Sequence, residues 1–131
     1  MELVNQYIKE IQEDVTLDQL SLKDKQLRLP GIKHKWVGRL MRHKGELSEL
    51  KRRQKHLLRE GTTKVNESSP VKLATTTIEG MIIKSDQYQD IQNKIEDLSV
   101  IIEYLEKVEK ICGNMTYDIK NLTEIIKLET L

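Results

Sequence analysis

The chain has 131 residues, 22 Lys/Arg against 21 Asp/Glu, and a formal net charge of +1. That length is one domain's worth of chain, read here as a single helical domain over residues 1–131. A single cysteine, Cys112, excludes an intrachain disulfide framework and fits a reducing compartment. No apolar run approaches the ~18 residues of a membrane span, so no membrane is expected and the chain reads as soluble and cytoplasmic.

Aromatic residues are scarce, with no Phe, one Trp and four Tyr. Leu and Ile on helical stripes must therefore supply most of the burial, at roughly 1.5–3 kcal/mol per fully buried side chain. Narrow stripes on a few long helices make a thin core, and burying them against other copies of the chain is the natural remedy. The expected fold class is mainly α: two or three long amphipathic helices with a short N-terminal helix, joined by a long loop and assembled as a homo-oligomer.

Residues 1–13 place Leu3, Val4, Tyr7, Ile8 and Ile11 at helical spacing, a short amphipathic helix that needs a docking surface. Residues 14–29 lose the pattern and read as a connector with room for one helical turn. A long helix is predicted over 31–59, with Pro30 suited to its first turn, where a missing N–H costs nothing. Within it Trp36, Leu40, His43, Leu47, Leu50, Gln54 and Leu57 alternate steps of four and three, a heptad-like seam. The same helix carries ten Lys/Arg against Glu46 and Glu49, a balance of +8, so the remaining chain is acidic by about the same amount. Gly61 is expected to end it. Residues 61–84 read as a loop, polar through Pro70 and then rich in β-branched residues around Glu79-Gly80, a short hairpin. Ser85 or Asp86 caps an acidic helical scaffold over 86–129, with Tyr88, Ile91, Ile95, Leu98, Ile102, Leu105 and Cys112 on its apolar face. Gly113 either kinks or breaks it. The oligomer seam is assigned to Trp36, Leu40, Leu47, Leu50, Leu57, Ile95, Leu98, Ile102 and Leu105.

No catalytic constellation is present. His34, His43 and His56 lack a metal-ligand spacing, and the six glycines form neither a Walker pattern nor GxGxxG, so no metal, cofactor or nucleotide hydrolysis is expected. The sequons at Asn66, Asn114 and Asn121 read as chance matches. The sharper signal is the basic helix, because ten bases cannot be neutralised by two acids within it. Either the acidic C-terminal helices pair with them or an anionic ligand does. At 100° per residue Lys51, Arg52, Arg53, Lys55 and Arg59 fan across the face opposite the seam. Such a spread suits a phosphate backbone, bound through charge and counterion release. Base readout in a groove needs a few residues aimed one way, and stacking platforms are nearly missing. The residues themselves therefore indicate sequence-independent, salt-sensitive nucleic-acid binding by an oligomer. The candidate contacts are Lys35, Arg39, Arg42, Lys51, Arg52, Arg53, Lys55 and Arg59. A coiled-coil adaptor without DNA affinity and a general DNA-compacting protein are the alternatives.

Leu29-Pro30 followed by Lys35-Trp36 and a long basic helix resembles the UvsY family of phage recombination mediators. So does the downstream series Asp90-Ile91, Lys94-Ile95, Ile102 to Val108, and Ile119-Lys120-Asn121. The similarity runs from about Leu29 to the C-terminus, interrupted by 61–84. It implies a ring-like homo-oligomer, of about six or seven subunits, that helps load a RecA-like recombinase onto single-stranded DNA in place of single-strand-binding protein, without nucleotide hydrolysis. It also implies host-cell cytoplasm as the location. The family's Leu-Lys-Ala-Arg-Leu-Asp-Tyr-Tyr pattern meets Leu58-Arg59-Glu60-Gly61 here. Arg59 keeps the first basic position, Gly61 replaces the second, and no tyrosines follow, which moves the expected contacts upstream to Lys51–Lys55.

Overall fold

The computed structural model describes residues 2–130. Among the described residues four α-helices follow one another: α1 (Glu2–Val15), α2 (Leu22–Ser68), α3 (Thr75–Ile83) and α4 (Asp86–Thr130), with a 3₁₀ turn at Gln19–Ser21. No strand occurs among the described residues. The fold is all-α, as the heptad spacing predicts.

Three boundaries differ from the sequence reading, each for a physical reason. The basic helix begins at Leu22, so Pro30 lies inside it and removes the backbone donor that would meet the Gln26 carbonyl. Buried Leu29 and Ile32 on either side of the proline hold the helix through this defect, which ordinarily costs about 3 kcal/mol. At the other end Gly61 does not stop α2. A Cβ built there would lie 2.7 Å from Cδ1 of Ile82, so the glycine is a close-approach position for α3. Residues 71–84 form no hairpin, because Thr75–Ile83 is the helix α3 and buries Ile78 and Ile82. The predicted 61–84 loop thus shrinks to the short connection between α2 and α3. Gly113 lies within α4, which continues unbroken to Thr130.

Caps account for the shorter connections. Asp18 Oδ1 accepts from the Leu20 N–H at the 3₁₀ turn. Lys25 Nζ donates to the Glu13 carbonyl at 2.8 Å, satisfying an orphan acceptor at the C-terminal end of α1 and complementing its dipole. Ser85 Oγ accepts from the Tyr88 N–H and opens α4.

The chain divides into two compact units. The first comprises residues 1–42 and 101–131, the second residues 43–100. In the first, Tyr7 and Ile11 of α1, Leu29, Ile32, Trp36 and Leu40 of α2, and Ile101, Ile102, Leu105, Val108, Cys112, Met115 and Ile119 of α4 are all buried. The second buries Ile78, Ile82, Ile95 and Leu98, with Leu47, Leu50 and Leu57 half-buried. Trp36, Leu40, Ile95, Leu98, Ile102 and Leu105, assigned above to an oligomer seam, are therefore covered within one chain. With so few aromatic residues, the heptad leucines and isoleucines are consumed by the monomer's own core.

Candidate nucleic-acid interface

The first unit holds a half-buried polar cluster where α1 meets α2, with Asp14 and Trp36 buried at its centre. The Trp36 indole N–H donates to Asp14 Oδ2 at 2.8 Å, and Lys35 Nζ reaches the same oxygen at 2.6 Å. Lys35 also meets Glu10 Oε1 at 3.0 Å, while Arg39 Nη1 donates to Glu10 Oε2 at 2.6 Å. The Arg39 guanidinium lies over both the Tyr7 and Trp36 rings, which pack edge-on at 5.5 Å. Desolvation would by itself lower the Lys35 pKa, but the hydrogen bonds that its ammonium donates to Asp14 and Glu10, with the attraction of both charges, more than reverse it and raise the value. The hydrogen bond from Arg39 draws the Glu10 carboxyl below its ordinary range, partly opposed by burial and aided by Lys35. Lys35 and Arg39 are thus bound to carboxylates, a pairing that sequence reasoning missed because the acids sit on a helix some 25 residues away. The signal was present: Tyr7, Glu10, Ile11 and Asp14 are spaced to share one face of α1.

The second unit presents the opposite situation. Lys51, Arg52, Arg53, Lys55 and Arg59 are all exposed on α2. Arg52 pairs with Glu49 one turn away, and His56 with Glu60. Lys51, Arg53, Lys55 and Arg59 make no ion pair with any described residue. The half-buried line Leu47, Leu50, Gln54, Leu57, Leu58 and Gly61 marks the inward side. Gln54 fixes its register by donating to Gln92 Oε1 at 2.7 Å. Turning that side inward leaves the bases spread over the outer half of the helix, by the 3.6-residue period. Arg42 is exposed on α2 in the first unit.

Extension of α2 past Gly61 adds residues that the sequence reading had placed in a loop. Lys64, with His56, Arg59, Glu60 and Thr63, lines a shallow depression of about 400 Å³. A second depression of about 370 Å³ is lined by Lys55, Leu58, Arg59, Thr62, Thr63 and Glu79 of α3. Arg59 borders both. These are open grooves whose walls combine bases and hydroxyls with one carboxylate each, Glu60 and Glu79, and they are too shallow to enclose a small substrate. Among the described residues no group of His, Cys, Asp and Glu is arranged to hold a metal ion. No helix among them is long and apolar enough to cross a membrane.

Crystal structures of the bacteriophage T4 recombination mediator protein UvsY superpose with TM-scores of 0.79 and 0.78 at 13% and 12% identity. The first covers 95% of this chain and 97% of that one, the second 97% of each. A third crystal form gives 0.75. At such identity the likeness establishes the fold. No curated protein sequence matches the chain. The family model described as "Recombination, repair and ssDNA binding protein UvsY" matches residues 10–130, and the chain therefore belongs to the UvsY family of recombination mediators.

Proposed function

We propose that the chain binds single-stranded DNA by its phosphates along the outer face of α2 in the second unit. In doing so it helps load a RecA-like recombinase in place of single-strand-binding protein. The observation that carries this reading is the set of four exposed bases, Lys51, Arg53, Lys55 and Arg59, that form no ion pair with a carboxylate among the described residues. Uncompensated charges on one helix repel each other, and an anionic ligand relieves that repulsion. Arg52 and Lys64 extend the same face. Lys35 and Arg39 contribute little, because their charges are already spent on Glu10 and Asp14.

The mechanism needs no chemistry beyond charge. Bases fanned around a helix grip a flexible strand that can wrap to meet them, whereas a stiff duplex meets only those on one side. Several such helices in a ring-like homo-oligomer would hold one strand extended, strip it of its coating protein, and present it to the recombinase. Avidity follows from linking the sites, without a tight contact at any one of them.

The test is substitution of Lys51, Arg53, Lys55 and Arg59 by Gln, followed by single-strand binding and recombinase-loading assays. The variant is expected to lose at least about tenfold in affinity at moderate salt, since each phosphate contact adds to counterion release. It should lose stimulation of recombinase loading in parallel. Wild-type binding by this variant would overturn the assignment of the face. Binding lost without any change in loading would overturn the link between DNA binding and mediation.

A further inference from the structure

The open groove between α2 and α3 in the second unit, about 370 Å³ and lined by Lys55, Leu58, Arg59, Thr62, Thr63 and Glu79, has walls of different chemistry. Lys55 and Arg59 are exposed and make no ion pair with any described residue. Glu79 of α3 is half-buried and equally without an ion pair. Its place follows from Gly61, since Ile82 packs where a Cβ would stand and Glu79 lies one turn before Ile82. Thr62 Oγ1 donates to the Leu58 carbonyl at 2.7 Å, and Thr63 Oγ1 to the Arg59 carbonyl at 3.1 Å. Each hydroxyl thus spends its one proton on the helix and can offer a ligand only lone pairs. The groove therefore sets cationic donors on α2 beside acceptors from Thr62, Thr63 and Glu79, around half-buried Leu58.

A phosphate satisfies only part of that set. It brings acceptors and negative charge, so Lys55 and Arg59 attract it while Glu79 repels it. The acceptors call for a donor, and in a nucleotide the donors lie on the base. We infer that the groove seats one unpaired nucleotide, its phosphate on Lys55 and Arg59 and an amine-bearing base edge toward Glu79 and the threonines. This rests on the reading of the outer face of α2 as a single-strand interface, and adds a base preference to its charge. Cytosine presents an amine at C4 and adenine one at C6, whereas uracil and thymine turn a carbonyl oxygen toward the carboxylate. In a duplex those edges are occupied by the partner strand, so the groove also favours a strand whose bases are free.

The test compares oligo(dC) with oligo(dU) of equal length, pyrimidine strands that carry an amine or a carbonyl at C4, by fluorescence anisotropy at moderate salt. The wild type is expected to bind oligo(dC) at least about threefold more tightly, less than one full hydrogen bond to a carboxylate provides. Glu79→Gln, whose amide both accepts and donates, should bring the ratio close to one. Removing a carboxylate raises affinity for any polyanion, so the ratio and not the affinity is the readout. Glu60→Gln, in the neighbouring depression, should strengthen both strands alike and keep the ratio. Should Glu79→Gln lose helix content by circular dichroism, a strand of 2-pyrimidinone deoxynucleotides, which lack the amine, replaces it. The wild type should then bind that strand as weakly as oligo(dU), and binding equal to oligo(dC) would overturn the subsite. Equal binding of oligo(dC) and oligo(dU) by the wild type would overturn it too. So would a ratio that survives Glu79→Gln, or one that Glu60→Gln also abolishes. Failure to bind either strand would overturn the single-strand reading itself, which separates the two failures.

Discussion

Trp36 is the only tryptophan in the chain, and its environment shows how one residue ties two helices together. Its ring is packed against Tyr7 and Arg39, and its N–H is held by Asp14, itself 6% exposed. Trp36→Phe keeps an aromatic ring but deprives buried Asp14 of a donor, leaving Lys35 as its partner. The expected cost is about 1–3 kcal/mol, read from urea unfolding followed by circular dichroism. The same cluster sets a pH dependence. Glu10 has a folded-state pKa below its ordinary 4.5, so its stabilisation is complete above that value and disappears as pH falls through the folded pKa. Lys35 lies above its ordinary 10.5, so its contribution is complete below that pH and is lost as pH rises through the folded value. Glu10→Gln should therefore flatten the acid limb of stability against pH. An acid limb as steep as wild type would show that other carboxylates govern it. Cys112 is pushed the other way from a reactive thiol, since burial and the Asp14 charge both raise its pKa. Oxidation in the folded protein is expected to be slow.

At the scale of elements, glycine takes two meanings along α2. Gly38 faces open space, so Gly38→Ala is expected to stabilise by about 0.5–1 kcal/mol through helix propensity. Gly61 faces Ile82, which is buried and whose Cγ1 would also stand at 3.0 Å from a new Cβ. Gly61→Ala should forfeit that gain and Gly61→Val should loosen α3, seen as lost helix content and a lower urea midpoint. Equal stabilisation by alanine at both positions would contradict the close approach. These elements also mark what a sequence makes legible. The three-four spacing of Leu and Ile carried the long helices, since that period belongs to the chain itself. The extension through residues 62–68 was hidden, because a glycine followed by Thr, Asn and Ser reads as a stop unless Ile82 is known to be its neighbour. For α3, β-branched Thr and Ile suggest a strand by propensity, and burial of Ile78 and Ile82 overrides it. Pro30 misplaced the start of α2 for the same reason: packing on both sides tolerates a residue that local preference puts at an end.

Over the whole molecule, charge is sorted rather than merely balanced. Ten bases on 31–59 were legible as an excess needing an anion. Which of them an internal acid had already claimed was not, because the claim depends on α1 folding back over Lys35 and Arg39. The structure thus divides one basic helix into a part committed to the core of the first unit and a part left open in the second. Much of the apolar stripe is likewise used inside the chain: Trp36, Leu40, Ile95, Leu98, Ile102 and Leu105, read as an oligomer seam, are buried in the monomer.

Binding of equal-length single-stranded and duplex oligonucleotides, followed by fluorescence anisotropy across a salt series, tests the account's central claim most directly. Tighter binding of the single strand is predicted, with log affinity falling linearly against log salt at a slope of about −0.7 for each phosphate neutralised. The slope should become shallower when Lys51, Arg53, Lys55 and Arg59 are changed to Gln. Equal or tighter binding of the duplex, or affinity indifferent to salt, would contradict it.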